Sequence, residues 1–371
     1  MKILFALNHP AHFHLFKYSA KELLKDGHSV LFVYKQKDIL EKLLKDYEFD
    51  SIKLSEKKST SKSRVSIIKN RLSELITQDI NLYKVIRKFH PDLMAGTDIS
   101  ITHIGRVIGI PSILFNEDDI EINKLFCYSA YPFANKIISP AVCNVGTFNH
   151  KKIPYNGYQK LAYLHPSRFI PDKSIVKNYV PVDKPYYLIR LVCFNAGHDI
   201  ERKHSGLTDN LIRLLIEKLS GYGNVYISSE VPVKKEFEKN LLKLNPLDIH
   251  HFIYYADVFI GDSQSMIVES AVLGTPSIRF NSFVGKISVL EELEKKYSLT
   301  NGVHNSNPEL LLAKIDELIG DKDLKNKFSE RRKVMLKEKI DFTAFIVWFI
   351  ENYPFSVTTL KENPEYQNRF R

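Results

Sequence analysis

The stretch DVFIGDSQSMIVESAVLGTPSIRFN, Asp257 to Asn281, decides the fold. The apolar run from Val258 to Ile260 is typical of a buried strand, and residues from about Ser265 to Leu273 are typical of a helix. Gly274 is placed to end this helix as a left-handed C-cap, and Ser277 to Phe280 has the composition of the next strand. The stretch therefore predicts a parallel α/β sheet with a helix N-terminus at its carboxyl edge.

The turn between this strand and this helix is suited to binding an anion. The amides at a helix N-terminus lack intrahelical partners and carry partial positive charge, so Ser263, Gln264 and Ser265 present donors to a phosphate. Glu269 lies four residues after Ser265, on the same helix face, where a carboxylate can hold ribose hydroxyls. A plain helix cap and a solvated surface carboxylate fit the same spacing, so both interpretations stay open.

The string D-S-x-S-x-x-x-E-S-A-x-L-G-x-P resembles the nucleotide-sugar signature of GT-B glycosyltransferases and non-hydrolysing UDP-N-acetylglucosamine 2-epimerases. In the epimerases the serine stands six residues before the second Glu of a pair, an interval that Ser263 and Glu269 keep. The resemblance implies diphosphate contact at Ser263 to Ser265 and ribose contact at Glu269. Two departures are Gln264-Ser265 in place of a double glycine and Arg279, two residues before the arginine that closes the epimerase motif.

The opening of the chain predicts a β–α–β unit. The run MKILFAL is too short for a signal peptide and is typical of a first strand, an amphipathic stretch follows the turn HPAHFH, and Ser29 to Tyr34 is typical of a second strand. The absence of G-x-G-x-x-G argues against a dehydrogenase that binds NAD or FAD. This opening resembles that of the domain of unknown function 354 family, grouped with GT-B proteins, and the resemblance covers most of the chain without implying a reaction.

Three side chains of the first half are suited to acid–base chemistry. His12 follows the first strand, and Asp98 and Glu117 follow two later predicted strands, so we expect all three at one carboxyl edge. In the epimerases a G-D-T and an Asp or Glu after the next strand carry proton transfer. Gly96-Thr97-Asp98 and Glu117 resemble these in order and approximate spacing, although the histidine and glycine that flank that Glu in the epimerases are absent.

Two cationic residues open the second half of the chain. Arg190 interrupts the predicted strand Tyr186 to Val192, and His198 lies in the turn that follows it. Both are suited to contact a diphosphate at the carboxyl edge of a second sheet. The epimerases carry an essential histidine in a comparable turn, and His198 is the residue that matches it.

The domain organisation follows from the prolines. Residues 151 to 185 contain five prolines and no strong periodicity, which is typical of a domain boundary. We predict an α/β, GT-B-like fold of two facing, doubly wound, Rossmann-like domains with an interdomain cleft. The predicted parts are an N-terminal acceptor and catalytic domain, 1–165, a linker, 166–185, a nucleotide-sugar domain, 186–335, and a helical segment returning to the first domain, 336–371.

Composition indicates a cytoplasmic protein with an anionic partner. The three cysteines, Cys127, Cys143 and Cys193, are widely spaced and odd in number, which favours reduced thiols over a disulfide framework or zinc site. Adjacent acidic side chains at Glu117 to Asp119 would point in opposite directions on a strand, so we predict no metal and no cofactor. The net charge of +10 favours nucleotides, nucleic acid or a lipid surface.

The segment 53–75 interleaves basic and aliphatic residues. Such a segment is typical of a helix on an anionic membrane, and also of a solvated face over a core stripe. No apolar run approaches the roughly 20 residues that span a bilayer. Peripheral contact with the inner face of the membrane through 53–75 and a solvated helix face are therefore both kept as interpretations. Nucleic-acid binding is not expected because no recognised module is present.

Together these patterns predict a metal-independent glycosyltransferase that uses a nucleotide-activated, UDP-linked sugar in surface polysaccharide or lipid-linked glycan synthesis. Donor phosphates would meet Arg190, His198 and the Ser263 to Ser265 turn, and His12, Asp98 or Glu117 would deprotonate the acceptor, a glycan or lipid-linked glycan. One alternative is a sugar-nucleotide 2-epimerase. Another is a non-catalytic nucleotide-sugar-binding protein.

Overall fold

The structure, a computed structural model, describes residues 1–36, 39–55, 64–192, 206–230 and 232–371, with the side chains of 64–72 left out. The chain forms two compact units. The first contains Met1–Tyr163 and Ile340–Arg371, and the second contains Leu164–Lys339. Residues 166–185, predicted as a linker, belong to the second unit.

The first unit is built on seven strands: β1 (Lys2–Leu7), β2 (Ser29–Lys35), β3 (Ser51–Ser55), β4 (Leu93–Gly96), β5 (Ser112–Phe115), β6 (Lys136–Pro140) and β7 (Lys152–Tyr155). All pair in parallel, in the order β3-β2-β1-β4-β5-β6-β7. The central strands β1, β4 and β5 carry continuous runs of buried residues, as strands covered on both faces do. Sequence analysis missed β3, β6 and β7 of this sheet. The Pro154 that suggested a boundary lies in β7, an edge strand, where proline is tolerated.

The second unit is built on five strands: β8 (Tyr186–Leu191), β9 (Asn224–Ser229), β10 (Val258–Gly261), β11 (Ser277–Phe280) and β12 (Asn301–Val303). They are also parallel, in the order β12-β11-β10-β8-β9. The strand order reverses between β1 and β4 in the first sheet and between β8 and β10 in the second. Open α/β sheets bind ligands outside the carboxyl ends of the strands at such switch points.

Helices connect the strands. In chain order they are α1 (Pro10–Lys25), α2 (Leu40–Asp46), α3 (Arg64–Phe89), α4 (Ile99–Ile108), α5 (Lys124–Ala130), α6 (Leu161–Leu164), α7 (Lys173–Lys177), α8 (Asp209–Ser220), α9 (Ile249–Tyr255), α10 (Gln264–Leu273), α11 (Ser288–Lys295), α12 (Pro308–Gly320), α13 (Leu324–Glu338), α14 (Phe342–Glu351) and α15 (Phe355–Glu362). Within the described part of the chain, none of them combines the length and apolar character needed to cross a bilayer.

Two predicted elements differ from the observed ones. The residue pattern from Phe237 to Leu244 predicts a helix, but the chain forms only a short 3₁₀ helix there, Lys235–Asn240, and Leu241 then bridges to Ile227 of β9. The basic segment 53–75 is divided between the end of β3 and the first half of α3, and residues 56–63 lie outside the described part.

The predicted unit around β10, α10 and β11 is confirmed. Ser263 caps α10 and its hydroxyl oxygen accepts from the amide of Met266 at 3.3 Å. Gly274 ends the helix with φ of 79°, a left-handed conformation that favours glycine. The β10–α10 turn thus presents the N-terminus of a ten-residue helix at the switch point of the second sheet.

The C-terminal segment packs in the first unit. The ring of Phe342, the first residue of α14, stacks on that of Tyr155 with centroids 3.9 Å apart, and α14 also packs against α1. The hydroxyl of Thr343 donates to the carbonyl of Ala162 at 2.7 Å, and the amide of Asn156 donates to the side chain of Gln367 at 2.7 Å. The first unit is therefore formed from both ends of the described chain.

Candidate functional site

In the first unit, the loops after β1 and β4 are joined by polar contacts at the switch point. The hydroxyl of Thr97 lies 2.5 Å from Nδ1 of His12, and the backbone N–H of Asn8 donates to the same nitrogen at 3.3 Å. The Asn8 side chain also hydrogen-bonds the Asp98 carboxylate. The two strands meet closely because Gly96 has no side chain: a Cβ there would lie 2.4 Å from the carbonyl oxygen of Ala6. The structure thus brings His12 and Asp98 into one network.

The contact of His12 with Asn8 favours one tautomer of the ring, and its contact with Thr97 is compatible with both. A backbone N–H can only donate, so the contact with Asn8 requires Nδ1 of His12 to accept. In the neutral ring the proton is then on Nε2. The Thr97 hydroxyl both donates and accepts, so it can also satisfy the other tautomer, in which Nδ1 carries the proton and Nε2 is basic.

Asp98 has a capping role besides any chemical one. Its Oδ1 accepts from the amide of Ser100 at 2.7 Å as the N-cap of α4, and the residue is buried. Burial raises the pKa of the Asp98 carboxyl above its usual value, and the hydrogen bonds from Ser100 and Asn8 oppose this effect. A carboxyl that protonates more readily than usual therefore lies beside the His12 network.

Glu117 follows β5, and both its carboxylate oxygens have partners. Oε1 accepts from the amide of Gln159 at 2.6 Å, and Oε2 lies 3.1 Å from Nζ of Lys160, with both charged side chains largely buried. Lys160 is 43 residues further along the chain, so sequence spacing gave no signal for it. Both carboxylate oxygens of Glu117 are therefore engaged within the first unit.

Arg190 is the last residue but one of β8, at the switch point of the second sheet. One terminal nitrogen donates to the Ser228 hydroxyl at 2.7 Å, and the other forms an ion pair with Glu230. Its buried Nε has no hydrogen-bond partner among the described residues. Neighbouring Gly261 gives this side chain room, since a Cβ there would lie 3.1 Å from Cβ of Arg190. His198 lies outside the described residues.

Asp262 directly follows β10 and precedes Ser263, the cap of α10. Its Oδ1 accepts from the amide of Val192 at 3.1 Å, and the side chain is buried. Burial raises the pKa of Asp262 to about 7, although backbone hydrogen bonds and the charge of Arg190 lower it. Sequence analysis placed Asp262 in the phosphate turn without giving it a role, because burial could not be read from the motif.

The remaining residues of the predicted phosphate turn differ in exposure. Ser263 is buried as the helix cap, Gln264 is half-buried and Ser265 is exposed at the first turn of α10. The first-turn amides of α10 carry the positive end of the helix dipole at this edge of the sheet. This arrangement can bind an anion near Ser265 without breaking the cap.

Glu269 is buried in α10 and is not the solvated surface carboxylate that the spacing allowed. Its Oε2 lies 3.4 Å from Nε2 of His250 in α9, and both side chains are more than nine-tenths buried. Buried carboxylates are retained where they have polar or charged partners. Sequence analysis missed His250 as a partner because no helical or strand spacing connects it to Glu269.

Arg279, the arginine that departs from the epimerase motif, is fully buried in β11. It lies 3.3 Å from Glu291 and 3.7 Å from Glu294, both in α11. Burial lowers its pKa and the two carboxylates raise it. Its structural role is to join β11 to α11. Among the described residues, no group of three or more His, Cys, Asp or Glu is arranged to hold a metal ion.

Comparisons with known proteins agree with this architecture. MnaA of S. aureus, in a co-structure with UDP, is similar with a TM-score of 0.67 and 14% identity, covering 96% of this chain and 98% of that one. The UDP-GlcNAc 2-epimerase of Neisseria meningitidis bound to UDP-GlcNAc has a TM-score of 0.63 and 13% identity, with coverage of 94% and 99%. The glycosyltransferase SsfS6 of Streptomyces sp. SF2575 has a TM-score of 0.55 and 12% identity, with coverage of 95% and 100%.

A curated relative is the uncharacterized protein MJ0665 of Methanocaldococcus jannaschii, 22% identical over 287 residues, which are 73% of this chain and 79% of the relative. The structural neighbours show that the fold is the GT-B-like fold of glycosyltransferases and UDP-GlcNAc 2-epimerases. The family model described as Protein of unknown function (DUF354) matches residues 1–347, and the chain therefore belongs to this family.

Proposed function

We propose that this protein is a glycosyltransferase that uses a nucleotide-activated sugar, UDP-linked, as its donor. The observation that carries the proposal is Glu269, a buried carboxylate that follows the N-terminus of α10 by one turn at the switch point of the second sheet. This is where a ribose would lie if the attached diphosphate met the helix amides. Neighbours solved with UDP and with UDP-GlcNAc support the choice of ligand class.

In this proposal the second unit binds the donor. The amides of the first turn of α10, near Ser265, bind the diphosphate, and the guanidinium of Arg190 adds positive charge at the same edge. His198 is proposed from the sequence as a further contact of the diphosphate. Charge develops on the leaving diphosphate during transfer, so fixed amide dipoles and a cation stabilise the transition state more than the ground state. The nucleotide sugar is a substrate, and no separate cofactor enters the proposal.

The first unit supplies proton transfer. His12 is the first candidate for the base that takes the acceptor's hydroxyl proton, with Asp98 and Glu117 as the others. For His12 to accept at Nε2, the ring must adopt the tautomer with the proton on Nδ1, which the Thr97 hydroxyl accommodates at the expense of the weak Asn8 contact. The acceptor we propose is a glycan or lipid-linked glycan of the cell surface, with the protein at the inner face of the membrane.

A 2-epimerase is the second candidate, favoured by one observation: the protonation-prone Asp98 and His12 share a network at the switch point. Epimerisation at a sugar carbon needs one group to remove a proton and another to return one. Incubation with a panel of nucleotide sugars, followed by NMR, separates the candidates. An inverted sugar without acceptor would favour the epimerase, whereas nucleotide release only with acceptor supports the transferase.

Replacing Glu269 by alanine is expected to weaken nucleotide-sugar binding by about 1.5–3 kcal/mol, the usual scale for hydrogen bonds to a charged group. Calorimetric titration with UDP and UDP-GlcNAc measures this loss. Glu309→Ala, at an exposed position in the first turn of α12, is the matched control and should bind like the unmodified protein. Unchanged affinity in a folded Glu269→Ala protein would contradict the ribose assignment.

A further inference from the structure

Three neighbouring helices of the first unit present one outer surface. Helix α4 packs between α3 and α5. His103 of α4 connects them, since its Nε2 donates to the carbonyl of Ser129 in α5 at 2.9 Å and its Nδ1 lies 3.3 Å from the Asp79 carboxylate in α3. The Phe133 ring lies 5.0 Å from the His103 ring. We call the outer faces of α3 from Ile76 to Arg87, of α4 and of α5, with Phe133, the α3–α5 surface.

Large apolar side chains are exposed on all three helices. On α3, Ile76, Ile80 and Tyr83 are exposed at spacings of four and three residues, which places them on one helix face. Ile76 and Tyr83 are three residues before and four residues after Asp79, so they share a helix face with the residue that contacts His103.

The other two helices continue the apolar region. Val107 of α4 lies one turn after His103 and is 80% exposed, and Leu125 and Tyr128 of α5 are 71% and 59% exposed. Phe133 is also exposed. Scattered single hydrophobic residues are normal on a protein surface, but a cluster shared by adjacent elements marks an interaction site.

The charge around this apolar region is basic. Exposed Lys84 and Arg87 continue the Ile80 face of α3, exposed Arg106 precedes Val107, and exposed Lys124 precedes Leu125. The pKa of Lys151 is lowered first by burial and then by the charge of Arg106. Lys151 therefore adds a further cation near Arg106.

The carboxylates of these helices are engaged within the unit. Asp79 faces His103, and Glu74 pairs with Lys35 of β2. Before α5, Glu121 accepts from the side chain of Asn144 at 2.8 Å. The α3–α5 surface therefore presents apolar side chains with basic residues beside them, and these three carboxylates have polar or cationic partners within the unit.

We propose that the α3–α5 surface docks on an anionic lipid bilayer. Aliphatic side chains enter the boundary between headgroups and acyl chains, tyrosines sit at the headgroup level, and Lys and Arg contact anionic headgroups. A second copy of this chain fits less well, because a two-fold contact would bring the same basic residues against each other. The surface begins on α3 at Ile76, directly after the basic segment 53–75, and lipid docking can be tested without any catalytic step.

The test is co-sedimentation of the full chain with vesicles of phosphatidylcholine, with and without phosphatidylglycerol, at low and high salt. The unmodified protein should bind the anionic vesicles at low salt and be released by salt. The triple variant Lys84→Gln, Arg87→Gln, Lys124→Gln should bind at least about tenfold more weakly, since each basic residue near the surface contributes. Lys235→Gln, Lys239→Gln, Lys322→Gln, which removes equal charge from exposed positions of the second unit, should bind nearly as well as the unmodified protein.

An apolar pair tests the other half of the surface. Val107→Gln with Leu125→Gln should also weaken anionic-vesicle binding about tenfold, and Leu214→Gln with Val334→Gln, exposed in the second unit, is its control. The proposal is overturned if the unmodified protein ignores anionic vesicles at low salt, or if the surface variants bind like their controls. A dimer in sedimentation velocity that only the Val107 and Leu125 variant abolishes would assign the surface to a second copy instead. Nucleotide affinity measured on the same variants keeps this outcome separate from the donor-binding proposal.

Discussion

The variant His12→Ala should lower turnover by about 10²-fold or more, the usual scale for general acid–base catalysis, with donor affinity nearly unchanged. A base acts mainly in the transition state, whereas Glu269 is proposed to bind ground state and transition state alike. The two residues should therefore separate kinetically. Single-turnover measurements with saturating donor isolate the chemical step from product release.

The Thr97 hydroxyl gives this prediction a second readout. Thr97→Val removes the hydroxyl that can hydrogen-bond Nδ1 of His12 in either tautomer, and it should shift the pH profile of turnover. Thr97→Ser keeps a hydroxyl at this position and should have the pH profile of the unmodified protein. A purely structural role for Thr97 would change the stability of both variants without moving the profile.

Glu117→Gln is also expected to lower turnover by about 10²-fold if Glu117 is the base. The ion pair with Lys160 adds an effect, because the glutamine leaves a buried lysine without its carboxylate. The double variant Glu117→Gln, Lys160→Met removes both charges and should recover stability without recovering turnover. Full turnover in both His12→Ala and Glu117→Gln would contradict the acid–base assignment and favour a non-catalytic nucleotide-sugar-binding protein.

The second large effect is expected from Asp262→Asn, which should flatten the dependence of stability on pH. The folded pKa of Asp262 is about 7 and its ordinary value is 3.8. The folded protein thus binds this proton more tightly than the unfolded chain does. The stability that this group contributes is fully present below about pH 4 and is lost as the pH rises to about 7. A pKa difference of about three corresponds to about 4 kcal/mol.

Urea unfolding monitored across this pH range measures the effect. Asparagine keeps the oxygen that accepts from Val192 but does not titrate, so the variant should gain stability relative to the unmodified protein as the pH rises. It should also bind UDP more tightly above pH 7, because it removes a negative charge beside the proposed diphosphate site. Asp183→Asn, at an exposed position, is the control. Parallel curves for the unmodified protein and Asp262→Asn would show that the pKa of Asp262 is the same in the folded and the unfolded protein and would contradict the prediction.

Local patterns predicted the parts of the fold that depend on local physics. Gly274 marks a helix end because few other residues adopt its left-handed conformation, and the apolar runs of β1 and β10 mark buried strands. The edge strand β7 was missed because a proline such as Pro154 occurs in edge strands as well as in linkers, so its presence does not distinguish the two.

For the candidate site, the sequence predicted which residues lie at the ends of strands but not which residues from distant segments contact them. Because ligands of parallel sheets bind at the carboxyl ends of the strands, the sequence predicted that His12 and Asp98 lie at one edge of the sheet. In the structure the two residues are connected through Asn8 and Thr97. Lys160 and His250 could not be found, because pairs between distant segments leave no periodic trace in one sequence. Burial, which sets the pKa of Asp262, is likewise a property of the assembled unit.

The return of α14 to the first unit has a consequence for biosynthesis. Residues 1–163 leave the ribosome long before Phe342, whose ring stacks on Tyr155, and at about 5–20 residues per second the delay is roughly 10–35 s. The second unit, continuous in sequence from 164 to 339, can fold during that interval. The half that is synthesised first is thus completed last, and its nascent apolar surface is a natural substrate for chaperones while it waits.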